Sequence, residues 1–569
     1  MKLVIFGKDS LLSNERIPFG PWCLVGNEDR YKETVFQFSN DVFAKDYQYE
    51  SIELEVENLS ESLLAFLSIY LNKVNDTDWS LSFWRVMVFP WLIAFIQNYL
   101  IQYLRFEKYI NERGSEFIFQ SSPDKTPEFI NTYDFYVNGL QSIEYLEWTY
   151  SDIIRRCFPY LQRIEHQKHD NRSHKNIPRN HTLKYKIRNF IKSLLGVKNV
   201  YGIKPIEAFA LGSLIKRGKH LNNQPESPPS PQQQKHKSII VKDINWESLI
   251  EQTIPKCFLN IKKLQTPVIT PNYTFQIVSG TLLYTEEEQK YQLAKYVESG
   301  GILVPCQHGS NYGVLSFFSN QKLIEYKYDH YFSWGWRNHQ GSKNSATGLS
   351  SPLVEKLQKI HTSDKKNKEI ILVGTITMPL FYHIISSQQP CQTLEYRNEK
   401  IEFIKSLLPE NFNRLQYRYY PSNDTYNCLK DLDFVKDYFA NLKICEGDLH
   451  PKLGKASLVV SDHPGTTFFL TMGANIPTVG YWNPKHWSFT SEAEQFFRQL
   501  KEQKIVFDSP AVAAEHVNFI SNDISKWWHS SAVQKARKNW SHQYARSSGN
   551  WKQEWEQQIK QLNETILPG

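Results

Sequence analysis

The segment from Ser457 to Tyr481 most constrains the fold, because it has the pattern of a strand, a tight turn, a helix and a second strand. Residues 458–460 form a short apolar run, which is typical of a strand buried on both faces. Asn475 can adopt the left-handed conformation that ends a helix, and Pro477 prevents the helix from continuing. The segment therefore predicts a parallel βαβ unit.

The start of the predicted helix indicates a binding site for an anion. Asp462 opens the turn, and Gly465, Thr466 and Thr467 begin the helix. The first N–H groups of a helix have no partner within the helix, and here two hydroxyl groups add to them. We predict that these four residues bind the phosphate of a nucleotide-activated substrate. An ordinary βαβ unit with a polar cap explains the segment equally well.

The chain changes character near residue 222. Its 569 residues are too many for one core, and the segment before this point is mainly helical. A Pro/Gln/Ser-rich stretch follows and predicts a flexible linker. Helices are predicted near 59–75, 80–111, 138–166 and 182–218. The predicted domains are a strand plus helical region over 1–221, the linker over 222–238, Rossmann-like domains over 239–368 and 369–545, and a C-terminal helix over 546–569.

Strands and helices alternate after the linker, which predicts parallel sheets with crossover helices. Thr285 to Glu288 has the form of a capping box at the start of one helix. In parallel sheets, ligands bind at the carboxyl ends of the strands, so two such sheets would form a cleft between them. Further strands are predicted at 302–305, 330–334, 369–374, 415–420 and 442–445.

A second chemical motif, Gln307-His308-Gly309 with Tyr312, directly follows the predicted strand 302–305. A neutral imidazole can accept a proton from a hydroxyl near neutral pH. The alternative is a glycine turn with a hydrogen-bonded histidine. Arg418 ends another predicted strand, and its guanidinium could bind phosphate or carboxylate, although a structural ion pair explains it as well.

Composition excludes several classes of protein. The net charge of +7 suits an anionic substrate or a membrane surface, but it is too weak to indicate nucleic-acid binding. Seven scattered cysteines without a Cys-x-x-Cys motif predict neither a zinc site nor a disulfide framework, and they fit a reducing compartment. The first residues resemble a strand rather than a signal peptide, so we expect a cytoplasmic protein. The apolar segment 83–104 contains Arg85 and Pro90, and we expect a buried helix pair there rather than a membrane span.

Several motifs together resemble one family of transferases, which is encoded in bacterial surface-polysaccharide gene clusters. The C-terminal half of that family is similar to CDP-glycerol glycerophosphotransferases and to capsule Kdo transferases. The resemblance covers most of the chain except roughly residues 160–245. The motifs are Phe19-Gly-Pro-Trp-Cys23, Phe83-Trp-Arg-Val-Met-Val-Phe-Pro-Trp-Leu92, Gln307-His-Gly309 with Tyr312-Gly313, Tyr331-Phe-Ser-Trp-Gly335, and Thr466-Thr-Phe with Asn475-Ile-Pro-Thr-Val.

The resemblance implies a GT-B fold, in which two Rossmann-like domains face a cleft, here with a mainly helical N-terminal elaboration. It implies that Gln307, His308 and Gly309 form the acceptor side, and that the helix start at 465–467 binds the donor phosphate beside Arg418. One position departs from the family, which usually has a glutamate where this chain has Leu470. That departure bears on which donor is used and on whether the protein is active.

The resulting prediction is a glycosyltransferase with His308 as the base. It would move a sugar, such as a Kdo-like or nonulosonic acid, from a nucleotide donor to a hydroxyl of a surface polysaccharide or glycolipid. A CMP-activated donor is favoured, no metal or other cofactor is expected, and membrane association would be peripheral at most. The alternatives are a polyol-phosphate transferase that uses a CDP-linked donor and a non-catalytic carbohydrate-binding or assembly protein on a GT-B scaffold.

Overall fold

A computed structural model describes most of the chain, and the account below concerns those residues alone. The motif at residues 19–23, most of the predicted linker and residues 182–195 of the helix predicted over 182–218 lie outside them. The described residues are 2–4, 16–18, 47–113, 119–121, 125–161, 163–165, 196–218, 225–227, 239–264, 273–337, 346–363, 368–376, 380–381, 383–420 and 431–567.

The first part of the described chain is a helical lobe built on two long helices. Their apolar faces pack against each other and against later helices in one large core. Three helices were predicted here, and the third is divided into a π-helical turn, Phe135–Leu140, and a following helix. The elements are β1 (Lys2–Val4), β2 (Arg16–Pro18), α1 (Tyr47–Asn75), α2 (Leu81–Arg113), β3 (Phe119–Ser121), α3 (Thr132–Asp134), α4 (Ile143–Cys157) and β4 (Arg163–Glu165).

Helix α2 is long and apolar enough to cross a membrane by length and composition, but its most apolar window is wholly buried in the protein. It is one continuous helix that passes through Pro90, and it packs on α1. The segment is therefore buried as predicted, with α1 as its partner. The buried polar side chain of Gln97 bonds to Asn320 at 3.0 Å and to the Ile384 N–H at 2.8 Å, which ties the helical lobe to the rest of the molecule.

The middle of the chain forms a parallel five-stranded sheet with helices on both faces. Its strand order is β11-β10-β9-β8-β5. The elements are β5 (Val197–Lys198), α5 (Pro205–Gly212), β6 (Ile240–Val241), β7 (Ile244–Asn245), α6 (Trp246–Thr253), α7 (Lys256–Leu259), β8 (Phe275–Ser279), α8 (Glu287–Glu298), β9 (Ile302–Cys306), β10 (Phe332–Ser333), β11 (Thr347–Gly348) and α9 (Pro352–Ser363), with 3₁₀ turns at Ile261–Leu264 and Gly280–Leu283 and a π-helical turn at Gln321–Glu325.

Two local predictions for this sheet were wrong. The segment predicted as a helix over 182–218 is described only from residue 196, where it contains the edge strand β5 before helix α5, and Val197 of this strand packs with α5. The predicted capping box at 285–288 does not form. Helix α8 begins at Glu287, and its N-terminal cap residue Glu286 makes no side-chain capping bond.

The last part of the chain forms a parallel six-stranded sheet in the order β14-β13-β12-β15-β16-β17. Five of its strands, β12 to β16, lie where they were predicted, and the edge strand β17 was not predicted. The elements are β12 (Ile370–Val373), α10 (Thr393–Lys405), α11 (Pro409–Arg414), β13 (Leu415–Arg418), α12 (Asp431–Tyr438), β14 (Lys443–Ile444), α13 (Leu449–Lys455), β15 (Leu458–Ser461), α14 (Thr466–Gly473), β16 (Thr478–Tyr481), α15 (Ser491–Glu502), β17 (Val506–Phe507), α16 (Pro510–Ile520), α17 (Ile524–Trp528), α18 (Ser531–Tyr544) and α19 (Trp551–Ile566), with a 3₁₀ turn at Pro390–Gln392.

The predicted βαβ unit has the expected geometry. Helix α14 begins directly after Gly465, and Asn475 ends it with a φ of 60° in the left-handed region. The C-terminal helix α19 returns to the first sheet, where Trp551, Trp555 and Ile559 pack with the strands and α5. Two parallel sheets, each covered by helices on both faces, thus form the two Rossmann-like halves of a GT-B fold.

Candidate active site between the two sheets

A cleft lies where the carboxyl ends of the two sheets meet. The loop after β9 contacts the start of α14, since the Ser310 N–H donates to Thr466 Oγ1 at 3.2 Å and the two hydroxyls lie 3.3 Å apart. Gly309 is so close to the same Thr466 oxygen that an added Cβ would lie 3.2 Å from it. This contact divides the cleft into two cavities of about 440 and 370 Å³. Both cavities are lined by Ser310, Asn311, Thr466 and Thr467.

The larger cavity contains His308. Tyr201, Phe318, Leu353 and Leu470 give it largely apolar walls, and His450 closes one side. The imidazole is half-buried, and burial lowers the pKa of His308 to about 4. The ring is therefore neutral at physiological pH, which is the state that can accept a proton.

His308 is the first member of a chain of hydrogen bonds. Its Nδ1 lies 2.6 Å from the Tyr312 hydroxyl, which in turn lies 2.9 Å from Oε1 of Glu325. The same carboxylate also accepts from Tyr284 at 2.7 Å and from Tyr331 at 3.4 Å. Glu325 is fully buried, and burial raises its pKa to about 7 although the three tyrosine hydroxyls lower it.

The helical lobe holds the turn that carries Glu325. Lys322 on this π-helical turn pairs with Glu53 of α1 at 2.5 Å, and Ser319 just before it donates to the same carboxylate at 2.6 Å. Asn320 is bonded to Gln97 of α2. Buried polar groups of α1 and α2 thus fix the backbone from which Glu325 reaches Tyr312.

The smaller cavity lies over the start of α14. Gly465 is the N-terminal cap residue and has no side chain to satisfy the first N–H groups of the helix, so they remain available to a ligand. Thr466 and Thr467 add their hydroxyls to the cavity wall. His463 packs against Gly465 so closely that a Cβ there would overlap the imidazole, and its Nδ1 bonds to Asp462 at 2.8 Å.

Arg418 faces the same cavity from the end of β13. One terminal nitrogen donates to the carbonyls of Cys445 and Gly447, both at 2.9 Å, which fixes the guanidinium beside the cavity. The aromatic rings of Tyr419, Tyr420 and Trp487 form the remaining wall. The smaller cavity therefore offers a cation, N–H groups and hydroxyls, which suit a phosphate. Its aromatic rings suit the base of a nucleotide.

The structure brings most of the predicted site residues together. His308, Gly309 and Tyr312 line the larger cavity, Gly465 and Arg418 line the smaller one, and both threonines line both.

Gln307 and Asp462 were predicted as contact residues, but they line neither of these two cavities. Gln307 turns inward, where Oε1 accepts from the Trp334 N–H and from Trp336 Nε1, both at 2.8 Å, and Nε2 donates to the Gly309 carbonyl. Asp462 is buried under the cleft because Tyr396 and Lys400 bind its carboxylate.

Sequence reasoning missed Glu325 and Asn311. No local pattern marks Glu325, since its relation to His308 arises only in space. Asn311 adjoins the His-Gly motif, and its φ of 76° is one that asparagine tolerates better than most residues. Its buried Oδ1 has no hydrogen-bond partner among the described residues, so it can accept a bond from a substrate hydroxyl.

One group of side chains in the described chain has the chemistry of a metal site. Glu395, Glu399 and His486 place one ligand atom each within 4.8 Å of one another. The Asn483 amide donates to both carboxylates, at 3.1 and 2.8 Å, and none of these residues lines either cavity. The group therefore lies outside the cleft just described.

The two facing parallel sheets and the cleft between them define a GT-B fold. The chain belongs to the LIC12162 family of transferases, whose family model matches residues 4–559. No curated protein matches it.

Solved structures with distant similarity include three nucleotide-bound proteins. S. aureus MnaA with UDP has 11% identity and a TM-score of 0.32, over 52% of this chain and 78% of that one. The wall teichoic acid polymerase TagF with CDPG has 10% identity and a TM-score of 0.29, over 54% and 84%. UGT71G1 of Medicago truncatula with UDP-glucose has 11% identity and a TM-score of 0.28, over 82% and 95%.

Proposed function

We propose that the protein is a glycosyltransferase that moves a sugar from a nucleotide-activated donor to a hydroxyl of a surface polysaccharide or glycolipid. The observation that carries the proposal is the contact between Ser310 and Thr466. It places a histidine on one sheet and an uncapped helix start on the other at two sides of one cleft. A base and an anion site on two sides of one cleft are what transfer from a phosphate to a hydroxyl requires.

In the proposed reaction, His308 accepts the proton of the acceptor hydroxyl in the larger cavity. The acceptor oxygen bonds to the anomeric carbon of the sugar as the bond from that carbon to the phosphate oxygen breaks. The helix N-terminus, the two threonine hydroxyls and Arg418 stabilise the negative charge on the departing nucleotide. These groups supply the stabilisation without a metal, and we propose a metal-independent reaction.

We propose a CMP-activated donor, with a Kdo-like or nonulosonic acid as the sugar. This choice is supported by the family resemblance. A polyol-phosphate transferase with a CDP-linked donor would use the same two sides of the cleft. The proposed location is cytoplasmic, with at most peripheral attachment to a membrane.

Leu470 favours one candidate from another class. It is buried and contributes an apolar wall to the His308 cavity, where the resemblance leads one to expect a carboxylate. A carbohydrate-binding or assembly protein on the same scaffold would bind ligands there without turnover. Nucleotide binding alone does not separate the two, whereas turnover of a supplied donor does.

A thermal-shift panel tests the donor class directly. A ligand that binds only the folded state raises the melting temperature, by an amount that grows with its concentration relative to its Kd. We expect CMP and CMP-sugars to give larger shifts than CDP-, UDP-, GDP- and TDP-linked compounds. A donor that binds is then incubated with the protein and a glycan acceptor. No shift from any nucleotide would contradict the proposed donor site, and binding without turnover would support the non-catalytic alternative.

Replacing Thr467 by valine tests the phosphate side. The change keeps the side-chain shape but removes a hydroxyl that lines both cavities, so we expect nucleotide affinity to fall by about 1 kcal/mol, or roughly fivefold. Isothermal titration with CMP and CDP measures it. Thr565→Val is the matched control, because that hydroxyl lies on the exposed C-terminal helix and donates only to the Gln561 carbonyl. Equal affinities in the two variants would remove Thr467 from the phosphate site.

A further inference from the structure

Glu325 takes no direct part in the proposed reaction. Among the described residues, however, it is the one ionisable group that is joined to His308 through a single hydroxyl, that of Tyr312. A carboxylate that is fully buried among tyrosines, without a cationic partner among the described residues, is unfavourable in free energy. Its only donors in the described chain are Tyr284, Tyr312 and Tyr331. The position of this buried carboxylate, two hydrogen bonds away from His308, therefore requires an explanation.

The direction of the hydrogen bonds follows from the number of protons. The Tyr312 hydroxyl has a single proton to donate. It lies within hydrogen-bonding distance of His308 Nδ1 and of the Glu325 carboxylate. Both of these groups can only accept when Nδ1 is unprotonated and Glu325 is ionised. If the hydroxyl donates to Glu325, the 2.6 Å contact with His308 requires a proton on Nδ1. The second ring nitrogen, Nε2, is then unprotonated and can act as the base.

We propose that Glu325 and Tyr312 are positioning residues that fix the tautomer of His308. The ionised carboxylate holds the Tyr312 proton, the Tyr312 oxygen accepts from Nδ1–H, and Nε2 is left bare in the larger cavity. When Nε2 takes the proton of the acceptor hydroxyl, both hydrogen bonds stay in place and no second proton moves. The positive charge on the ring is then balanced by Glu325 through Tyr312.

This inference rests on the proposed function, because it assigns a role in the same reaction. It also resolves a difficulty in that reaction. Burial lowers the pKa of His308 to about 4, and such an imidazole on its own is a weak base at neutral pH. A carboxylate linked through Nδ1 favours the protonated ring and so strengthens the base during the reaction.

The tautomer of His308 can be observed without any substrate. The full-length protein is labelled with ¹⁵N-histidine, and the ring signals of His308 are assigned by their loss in His308→Gln. We expect a protonated Nδ1 and a bare Nε2 in the wild type, and a mixture of tautomers in Tyr312→Phe, which keeps the ring packing but loses the hydroxyl. A protonated Nε2 in the wild type would overturn the proposal.

Carbethoxylation by diethyl pyrocarbonate gives an independent measure, because this reagent attacks bare ring nitrogens. Peptide mass spectrometry follows the rate at His308. We expect Tyr312→Phe and Glu325→Gln to slow it about five- to tenfold. Tyr331→Phe is the matched control, since it removes a hydroxyl from the same carboxylate but that hydroxyl does not contact His308. Equal rates in Tyr312→Phe and Tyr331→Phe, with both proteins folded, would also overturn the proposal.

The pH dependence has a defined direction. The carboxyl must lose its proton before it can hold the Tyr312 hydroxyl, and burial raises the pKa of Glu325 to about 7. We therefore expect the reactivity of His308 to rise with pH through about 7, well above the titration of the imidazole, and this rise to be absent in Glu325→Gln. The other titratable groups that face Glu325 all have pKa values raised above their ordinary range, and they are Tyr284, Tyr312, Tyr326, Tyr328, Tyr331 and Cys306.

The outcomes separate this inference from the proposed function. If no nucleotide binds, the proposed function fails, but the tautomer and the reactivity of His308 remain measurable. If Nε2 rather than Nδ1 carries the proton while transfer still requires His308, the proposed roles of Glu325 and Tyr312 are wrong and the proposed function stands. In an active preparation, Tyr312→Phe should lower kcat by about 10- to 100-fold with little change in the KM of the donor, which binds on the other sheet.

Discussion

Replacing His308 by alanine is expected to lower the rate of transfer by about a hundred- to ten-thousand-fold, because that is the usual contribution of a general base. Donor binding should persist, since the proposed phosphate site lies at the start of α14 on the other sheet. His308→Gln should be similarly slow, because an amide restores a hydrogen bond but has no basic nitrogen. The rate is measured per folded molecule with the donor that the thermal-shift panel identifies.

The control for this variant is His542→Ala, which removes an exposed histidine from α18. It should leave both rate and stability near those of the wild type. If His308 were only a structural residue, activity would fall no further than the amount of folded protein. A near-normal rate in folded His308→Ala would exclude this residue as the base and direct attention to a carboxylate such as Asp448, which caps α13 near the cleft.

Replacing Asp431 by alanine is expected to destabilise the C-terminal half by about 3–5 kcal/mol, the usual cost of leaving a buried charge unpaired. Asp431 lies 2.5 Å from Lys400 and 3.3 Å from Arg397, both of which are fully buried. Lys400 also lies 3.3 Å from Asp462. Within the described residues, the two positive charges of this network equal its two negative charges. Loss of Asp431 therefore leaves Arg397 without its carboxylate partner.

The pKa of Asp431 gives the sign of the pH dependence. Burial by itself would raise this pKa, but Lys400 and Arg397 outweigh it, so the pKa lies below its ordinary value. The pair therefore stabilises the fold above the ordinary pKa of aspartate, and this contribution is lost as the pH falls through the lowered pKa. Asp431→Ala should show less acid-dependent loss of stability than the wild type.

Hydrogen exchange of strands β12 and β13 measures this stability locally, which avoids treating a two-domain chain as one unfolding unit. Asp433→Asn is the matched control, because Asp433 is exposed on the same helix and should change stability by less than about 0.5 kcal/mol. Equal exchange in Asp431→Ala and the control would show that the network does not stabilise the sheet.

The network also explains why Asp462 lines neither cavity. The carboxylate that was predicted to face the nucleotide binds Lys400 and Tyr396 below the cleft and orients His463 through its other oxygen. A turn sequence shows that a carboxylate is near a strand end, but it does not show toward which side the carboxylate points. The same reason applies to Gln307, which packs inward against two tryptophans.

The sequence by itself determined two strands of the first sheet, β9 and β10, five strands of the second sheet, β12 to β16, and the helix that begins at Thr466. These features follow from short-range patterns: apolar runs of strand length, glycine turns and a proline stop act over a few residues. It also determined that His308 follows a strand end. Both chemical motifs could therefore be found before the structure was known.

Only the tertiary structure decided which residues these motifs contact. The bond between Ser310 and Thr466 joins residues 156 positions apart, and the edge strand β5 comes from a segment whose local pattern predicts a helix. Glu325 reaches His308 because two long helices, distant in sequence, fix the turn that carries it. Contacts of this kind depend on side-chain direction and on long-range packing, and neither leaves a periodic signal in the sequence.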